Sequence, residues 1–112
     1  MKKIKFSDKL TNLILQGKKN STWRMFDDKN LSEGDELILI NKQTGEEFAT
    51  AVIDKLKEKK LRELEDKDWE GHERYENDEK MLADFRTFYP DKFVDLETMV
   101  KIINFRIIKF LI

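Results

Sequence analysis

The sequence predicts a single α+β domain spanning residues 1–112, with a curled, mostly antiparallel sheet of four to six strands that closes towards a β-barrel beside two or three helices. The 112 residues can enclose one hydrophobic core but not two. Hydrophobic residues make up 39% of the chain, which is enough to fill that core. Short segments rich in β-branched and aromatic residues are interrupted by helical patterns, which predicts both kinds of element in one domain.

The first quarter of the chain predicts a strand, a helix and a second strand. Residues 3–6 (KIKF) alternate between polar and apolar, as is typical of a short edge strand. Ser7 suits the N-cap of the helical pattern that follows, and Gly17 lies where a left-handed C-cap is expected. Residues 20–26 (NSTWRMF) then favour a strand because of their β-branched and aromatic content.

The middle of the chain predicts a hairpin followed by a charged segment. Gly34 suits a turn into a buried strand at residues 37–40, and Gly45 suits the hairpin turn before a returning strand at residues 48–56. Residues 58–72 are highly charged, with leucines as their evident apolar anchors, and we expect a short solvated helix there.

The last third predicts a helix and a long closing strand. Asn77 or Asp78 suits the N-cap of the helix, and Pro90 ends it. An apolar stripe along this helix is expected to face the core and comprises Met81, Leu82, Phe85 and Phe88. Residues 98–112, rich in Ile, Val and Phe, predict one or two long strands.

Composition excludes several kinds of site. The chain has no Cys, so disulfides and thiolate zinc sites are excluded, which fits a reducing cytoplasm. Its single histidine, His72, makes a His-rich metal site impossible and a Ser–His–Asp triad improbable, and we expect it on the surface rather than at a pocket edge. No apolar run approaches the ~20 residues that span a bilayer. We therefore expect a cytoplasmic protein with no metal, no cofactor and no membrane partner. The sequence leaves the oligomeric state open, with a monomer favoured.

The formal net charge of −1 hides an uneven distribution. Residues 1–24 sum to +6 and residues 101–112 to +3, so residues 25–100 sum to −10. If the two ends of the chain meet in the fold, they form a basic face on an acidic body, which suits an anionic partner such as a phosphate. Lysines scattered over a solvated surface are the alternative.

The segment GKKNSTWR, residues 17–24, concentrates reactive and cationic side chains. On a strand, Asn20, Thr22 and Arg24 share one face, while Ser21 and Trp23 share the other. On that second face, Trp23 is expected to be a core residue, with a base-stacking platform as the alternative.

Lys19 lies just before this strand, within side-chain reach of Thr22. An amine, a hydroxyl and the guanidinium of Arg24 would then converge on one volume. Such a group suits an anion or carbonyl site with a nucleophile. A polar edge strand without function is the alternative interpretation.

The order glycine, basic residue, lysine, two variable residues, threonine, variable residue, arginine resembles the signature of the ASCH domain, a family with a PUA-like fold. Later features are also similar to that family, and with them the resemblance covers nearly the whole chain. They are the Gly34-Asp35 turn, residues 69–72 (WEGH), Tyr89-Pro90 after a helix, and residues 103–105 (INF) in the closing strand.

The resemblance implies a partner that is a modified nucleoside or RNA. Small bacterial members that look like this chain hydrolyse the amide of N4-acetylcytidine to cytidine and acetate. In that group the lysine of the motif is the proton acceptor, the threonine is the nucleophile and a later glutamate is the proton donor. Carried over, these roles fall on Lys19, Thr22 and Glu70, with Glu73 and Glu76 as alternatives for the glutamate.

The same resemblance implies that Lys18, Asn20 and Arg24 contact the substrate, although the family often has a second threonine where Asn20 stands. Two other functions remain open at this point. One is a non-catalytic RNA-binding module in which Lys18, Lys19 and Arg24 contact phosphates. The other is a ribonuclease.

The hydrolase hypothesis makes a physical demand on Lys19. A lysine base must be neutral, and bringing its pKa from ~10.4 to near 7 requires about 4–5 kcal/mol of differential interaction. Burial and nearby cations such as Lys18 and Arg24 lower the pKa, whereas an ionised glutamate raises it. Two coupled groups of this kind predict a bell-shaped pH profile.

Overall fold

The computed structural model describes residues 1–27 and 29–112, and over these residues the chain forms five strands and two α-helices. The α+β expectation is therefore confirmed. None of the helices described is long and apolar enough to cross a membrane. The elements in chain order are β1 (Lys2–Phe6), α1 (Asp8–Leu15), β2 (Ser21–Arg24), β3 (Glu36–Asn41), β4 (Glu47–Lys60), α2 (Asp78–Phe88) and β5 (Met99–Phe110).

The strands form one curled sheet in the order β1-β3-β4-β5-β2. The pair β1–β3 is parallel and the other pairs are antiparallel, as a mostly antiparallel sheet requires. Register shifts in the long β4–β5 pair bend the sheet. The edge strands approach each other, because the Arg24 guanidinium on β2 donates a hydrogen bond of 3.0 Å to the Lys5 carbonyl on β1. The result is a half-barrel with a seam between β1 and β2.

Apolar side chains pack on both faces of the sheet. Along β5, Ile103 and Phe105 join the cluster beneath α1, whereas Val100 and Ile102 join the cluster beneath α2. This division follows from the alternation of side chains along a strand. Trp23 is 4% exposed and belongs to the α2 cluster, which confirms the prediction that it is a core residue.

The ends of α1 form as the sequence predicts. The Ser7 hydroxyl accepts a hydrogen bond from the Leu10 amide at 3.3 Å, which caps the first turn. At the other end, Gly17 has a φ of +74°, and the Gly17 and Lys18 amides bond to carbonyls of the last turn. This left-handed cap stops the helix and sends the next residues towards the seam.

Two local expectations are wrong. The charged segment at residues 58–72 is not a solvated helix: its first part continues β4 as far as Lys60, because β5 is long enough to pair with it. The rest forms two short 3₁₀ helices, Leu61–Glu63 and Asp66–Trp69. Phe88 does not complete the buried stripe of α2, because it lies at the end of that helix and is 54% exposed.

A buried carboxylate holds the charged segment onto β4. The Asp68 side chain is 0% exposed and forms ion pairs with Lys57 and with Lys59, the latter at 2.8 Å. It also accepts a hydrogen bond of 2.8 Å from the Glu65 amide. Burial alone would raise the pKa of Asp68, but its bonds to the two lysines and to the Glu65 amide outweigh burial and lower the pKa to about 2.

Replacing this carboxylate tests the anchoring role of Asp68. We expect Asp68→Asn to lower the free energy of unfolding at pH 7 by about 2 kcal/mol, since charge-assisted hydrogen bonds are lost. Because the folded pKa is about 2, below the ordinary 3.8, the stabilisation is present above pH 3.8 and is lost as the pH falls through 2. Urea unfolding at several pH values measures both effects. Asp66→Asn is the control, because Asp66 is an exposed carboxylate of the same 3₁₀ helix. Equal stability of the Asp68 and Asp66 variants at pH 7 would contradict the prediction.

Candidate functional site

A cavity of about 120 Å³ opens at the seam between β1 and β2. It is much larger than the ~10–15 Å³ that one water molecule needs. Its walls come from the end of β1, the start of α1, strand β2, the loop before α2 and the end of α2. The polar and charged side chains that line it include Lys5, Lys19, Thr22, Arg24, Lys42 and Glu73.

Lys19 is buried in the wall of this cavity. Its side chain is 2% exposed, and its Nζ donates hydrogen bonds of 2.7 Å to the Glu73 Oε2 and 2.7 Å to the Ser21 carbonyl. A buried ammonium is tolerated only with partners of this kind, because its desolvation costs several kcal/mol. The amine expected near the start of β2 is therefore inside the site and bonded to a carboxylate.

The environment moves both members of the pair away from their ordinary pKa values. Burial lowers the pKa of Lys19 below 10.5. The Glu73 charge raises this pKa but does not outweigh burial, and the Arg24 charge lowers it further. Burial raises the pKa of Glu73, but the Lys19 ammonium outweighs burial and leaves the pKa of this carboxyl below 4.5. Glu73 is therefore ionised at neutral pH, and Lys19 is a stronger acid than an ordinary lysine.

Thr22 and Arg24 face the cavity side by side, as expected for residues two apart on a strand. Thr22 is 5% exposed, and its Oγ1 accepts a hydrogen bond of 3.1 Å from the Arg24 Nε. The same guanidinium lies 4.9 Å from the centre of the Phe6 ring. Because Thr22 is the acceptor in this bond, its own hydroxyl proton remains available to another group.

His72 lies in the cavity wall, so the expectation of a surface histidine is wrong. Its side chain is 3% exposed and its ring stacks on Trp23, with centroids 4.0 Å apart. Its Nδ1 lies 2.7 Å from the Glu73 carbonyl, and because a carbonyl can only accept, Nδ1 carries the hydrogen and Nε2 is free to accept. Burial and the Lys19 charge lower the pKa of His72 to about 4, so the ring is neutral at pH 7.

The three candidate glutamates occupy different places. Glu73 is in the cavity, whereas Glu70 is an exposed residue that ends the second 3₁₀ helix, and Glu76 lines a neighbouring groove. Gly71, with a φ of +73°, turns the chain between Glu70 and Glu73. This turn brings Glu73, and not Glu70, next to Lys19.

Two residues that were predicted to contact the substrate, Lys18 and Asn20, are not among the residues that line the cavity. Lys18 is exposed at the C-cap of α1. Asn20 is exposed and its side chain lies over Gly71, at a distance that leaves no room for a Cβ there. Among the residues described, no group of three or more His, Asp or Glu side chains could hold a metal ion.

The backbone of this chain resembles those of several solved structures. No protein-family model and no curated protein sequence matches the chain. A DUF984-family protein from Enterococcus faecalis superposes with a TM-score of 0.76 and 15% identity, over 91% of this chain and 71% of that one. An ASCH domain from Lactobacillus crispatus gives a TM-score of 0.59 and 14% identity, over 86% of this chain and 68% of that one.

A third solved structure is also similar to this chain. An ASCH protein from Zymomonas mobilis gives a TM-score of 0.63 and 10% identity, over 97% of this chain and 73% of that one. The chain has the ASCH fold. At these identities the similarity concerns the path of the backbone alone. It confirms the expected PUA-like fold with a curled, mostly antiparallel sheet, which here forms a half-barrel.

The single histidine of the chain allows a direct test of the site in this ASCH fold. We expect the His72 ring protons to titrate with a midpoint near 4 in the folded protein and near the ordinary 6.5 in the urea-unfolded chain. Because the folded state binds this proton less readily, the free energy of unfolding should fall as the pH drops from 6.5 to 4. Proton NMR measures the midpoint without any variant, and a folded midpoint near 6.5 would show that the ring is solvated.

Proposed function

We propose that this protein is an amidohydrolase that removes the acetyl group of an N4-acetylated cytosine nucleoside, giving cytidine and acetate. The observation that carries the proposal is the buried Lys19–Glu73 pair, bonded at 2.7 Å, in the same cavity as the Thr22 hydroxyl. The resemblance of residues 17–24 to the ASCH motif supplies the reaction, and the ASCH fold supports it.

In this proposal Lys19 is the proton acceptor, Thr22 the nucleophile and Glu73 the proton donor. We assign the proton donor to Glu73 rather than to Glu70 or Glu76, because Glu73 alone of the three lines the same cavity as Lys19 and Thr22. Arg24 touches the nucleophile and is assigned to the substrate-binding set, whereas the exposed Lys18 and Asn20 are assigned no chemical step.

The reaction proceeds in two balanced stages. The Thr22 oxygen attacks the acetyl carbonyl carbon while its proton passes to the neutral amine of Lys19. As the carbon–nitrogen bond breaks, Glu73 protonates the departing cytosine amino nitrogen, and the acetyl group remains as an ester on Thr22. Water then hydrolyses that ester and releases acetate, which restores the threonine hydroxyl.

Proton transfer across the short Lys19–Glu73 bond would supply both required protonation states at once. Transfer of one proton across it turns the ammonium and carboxylate into a neutral amine and a carboxylic acid, which are the base and the donor of the first stage. The ordinary pKa values of 10.5 and 4.5 would make this transfer unfavourable by about 8 kcal/mol. Burial disfavours both charges and narrows that gap, whereas the attraction between the two charges widens it and leaves the pKa of Glu73 below 4.5. The proposal therefore requires that a bound substrate, by displacing water from the cavity, favours the neutral pair.

Arg24 is placed to act on the developing charge. Its Nε lies 3.1 Å from the Thr22 oxygen that would attack, so the guanidinium stabilises the negative charge that this oxygen gains as its proton leaves. Its second contact, 3.0 Å to the Lys5 carbonyl, keeps it in place across the seam.

The test is deacetylation of N4-acetylcytidine by the purified protein, followed by chromatography of cytidine. We expect Thr22→Ala and Lys19→Met to reduce kcat by at least about 10²-fold, since each removes a group that takes part in bond making. Ser21→Ala is the matched control: it removes the adjacent buried hydroxyl, which has no hydrogen-bond partner among the described residues. It should retain activity.

Three outcomes would contradict the assignment. Full activity of Thr22→Ala would remove the nucleophile, and full activity of Lys19→Met would remove the base. A wild-type protein that binds cytidine but never releases acetate would favour the non-catalytic binding module instead. Cytidine binding by each variant, measured by calorimetry, separates a lost chemical step from a lost fold.

A further inference from the structure

The cavity carries more positive charge than the proposed reaction uses. Among the described residues that line it, the cations Lys5, Lys19, Arg24 and Lys42 face a single carboxylate, that of Glu73. The chain as a whole has a formal net charge of −1, so this excess is local. A concave site lined by one sign of charge concentrates ligands of the opposite sign.

Two of these cations lie at the mouth and are unpaired. Lys5 and Lys42 are exposed, and within the described part of the chain neither has a carboxylate oxygen within 4.0 Å of its Nζ. Their neighbours in β1 differ, because Lys2 and Lys3 are paired with carboxylates at 2.8 and 3.5 Å. The charges of Lys5 and Lys42 are therefore free for a ligand.

The backbone holds these two lysines at the same end of the sheet. The Lys42 amide donates a hydrogen bond of 2.7 Å to the Phe6 carbonyl, next to Lys5 in the chain. The Lys5 carbonyl is itself held by Arg24 at 3.0 Å. The mouth and the buried site are thus parts of one framework, with the Arg24 guanidinium between them.

We propose that the ligand of this cavity is a nucleoside monophosphate, with its base inside the cavity and its phosphate between Lys5 and Lys42. The placement of the base rests on the proposed function, whereas the placement of the phosphate rests on the unpaired charges at the mouth. Two lysine ammonium groups can each donate a charge-assisted hydrogen bond to phosphate oxygens.

The charge pattern favours one phosphate over a longer nucleic acid strand. A groove continues from the cavity between α1 and α2, and among its described lining residues the cations Lys9, Arg74 and Lys80 face the carboxylates of Glu76 and Asp84, besides that of Glu73, which is already paired with Lys19. Residues 25–100 as a whole sum to −10. A second or third phosphate would therefore meet an excess of only one further positive charge, compared with three around the cavity.

Calorimetry with cytidine, cytidine 5′-monophosphate and a short cytidine oligonucleotide tests this proposal. We expect the monophosphate to bind at least about tenfold more tightly than cytidine at low salt, with the difference shrinking as salt increases. Lys5→Gln and Lys42→Gln should each reduce that difference. Lys55→Gln is the matched control, because it removes one exposed charge on β4 that has no carboxylate partner within the described residues and lies away from the cavity.

The outcomes separate this proposal from the proposed function. Equal affinity for cytidine and its monophosphate, or no binding of either, would overturn the phosphate site. An oligonucleotide that binds far more tightly than the monophosphate would also overturn it, in favour of an extended strand. A monophosphate preference that depends on Lys5 and Lys42, in a protein that never deacetylates its substrate, would support the phosphate site and reject the hydrolase.

Discussion

The ion pair between Lys19 and Glu73 is the constraint on which the site depends. An ammonium that is 2% exposed must be paired, so the loop that carries Glu73 has to lie against the start of β2. Two glycines with positive φ make this possible: Gly17 directs the chain away from α1, and Gly71 reverses the opposite loop. The Gly71 carbonyl then accepts hydrogen bonds from the amides of residues 20 and 21, at 3.0 and 3.1 Å, which ties the two segments together.

The site separates buried chemistry from an exposed mouth. Inside, the charges of Lys19 and Glu73 compensate each other and His72 is neutral, so Arg24 contributes the remaining positive charge among the described residues of the buried site. At the mouth, Lys5 and Lys42 are exposed and have no carboxylate partner among the described residues. Arg24 joins the two regions, because it contacts both the Thr22 hydroxyl and the carbonyl on the opposite edge of the seam.

The sequence predicts those features of the structure that depend on residues close together in the chain. The Ser7 cap, the left-handed Gly17 and the sharing of one face by Thr22 and Arg24 follow from short-range rules, and the structure shows them as predicted. The choice of glutamate does not follow from such rules. The path of residues 69–77 is set by contacts with β2 far away in the chain, including the stacking of His72 on the strand, and no local pattern encodes these contacts. The charged segment before it was mistaken for a helix for the same reason, since its pairing with β5 is long-range.

The most direct measurement is a double-mutant cycle on the central pair, with Lys19→Met, Glu73→Gln and the double variant compared with the wild type by urea unfolding at pH 7. If the pair is buried and mutually dependent, each single change leaves its partner without compensation, and we expect a coupling free energy of about 2–3 kcal/mol. Additive effects, with a coupling indistinguishable from zero, would mean that the two side chains do not meet in solution and would contradict the account of the site.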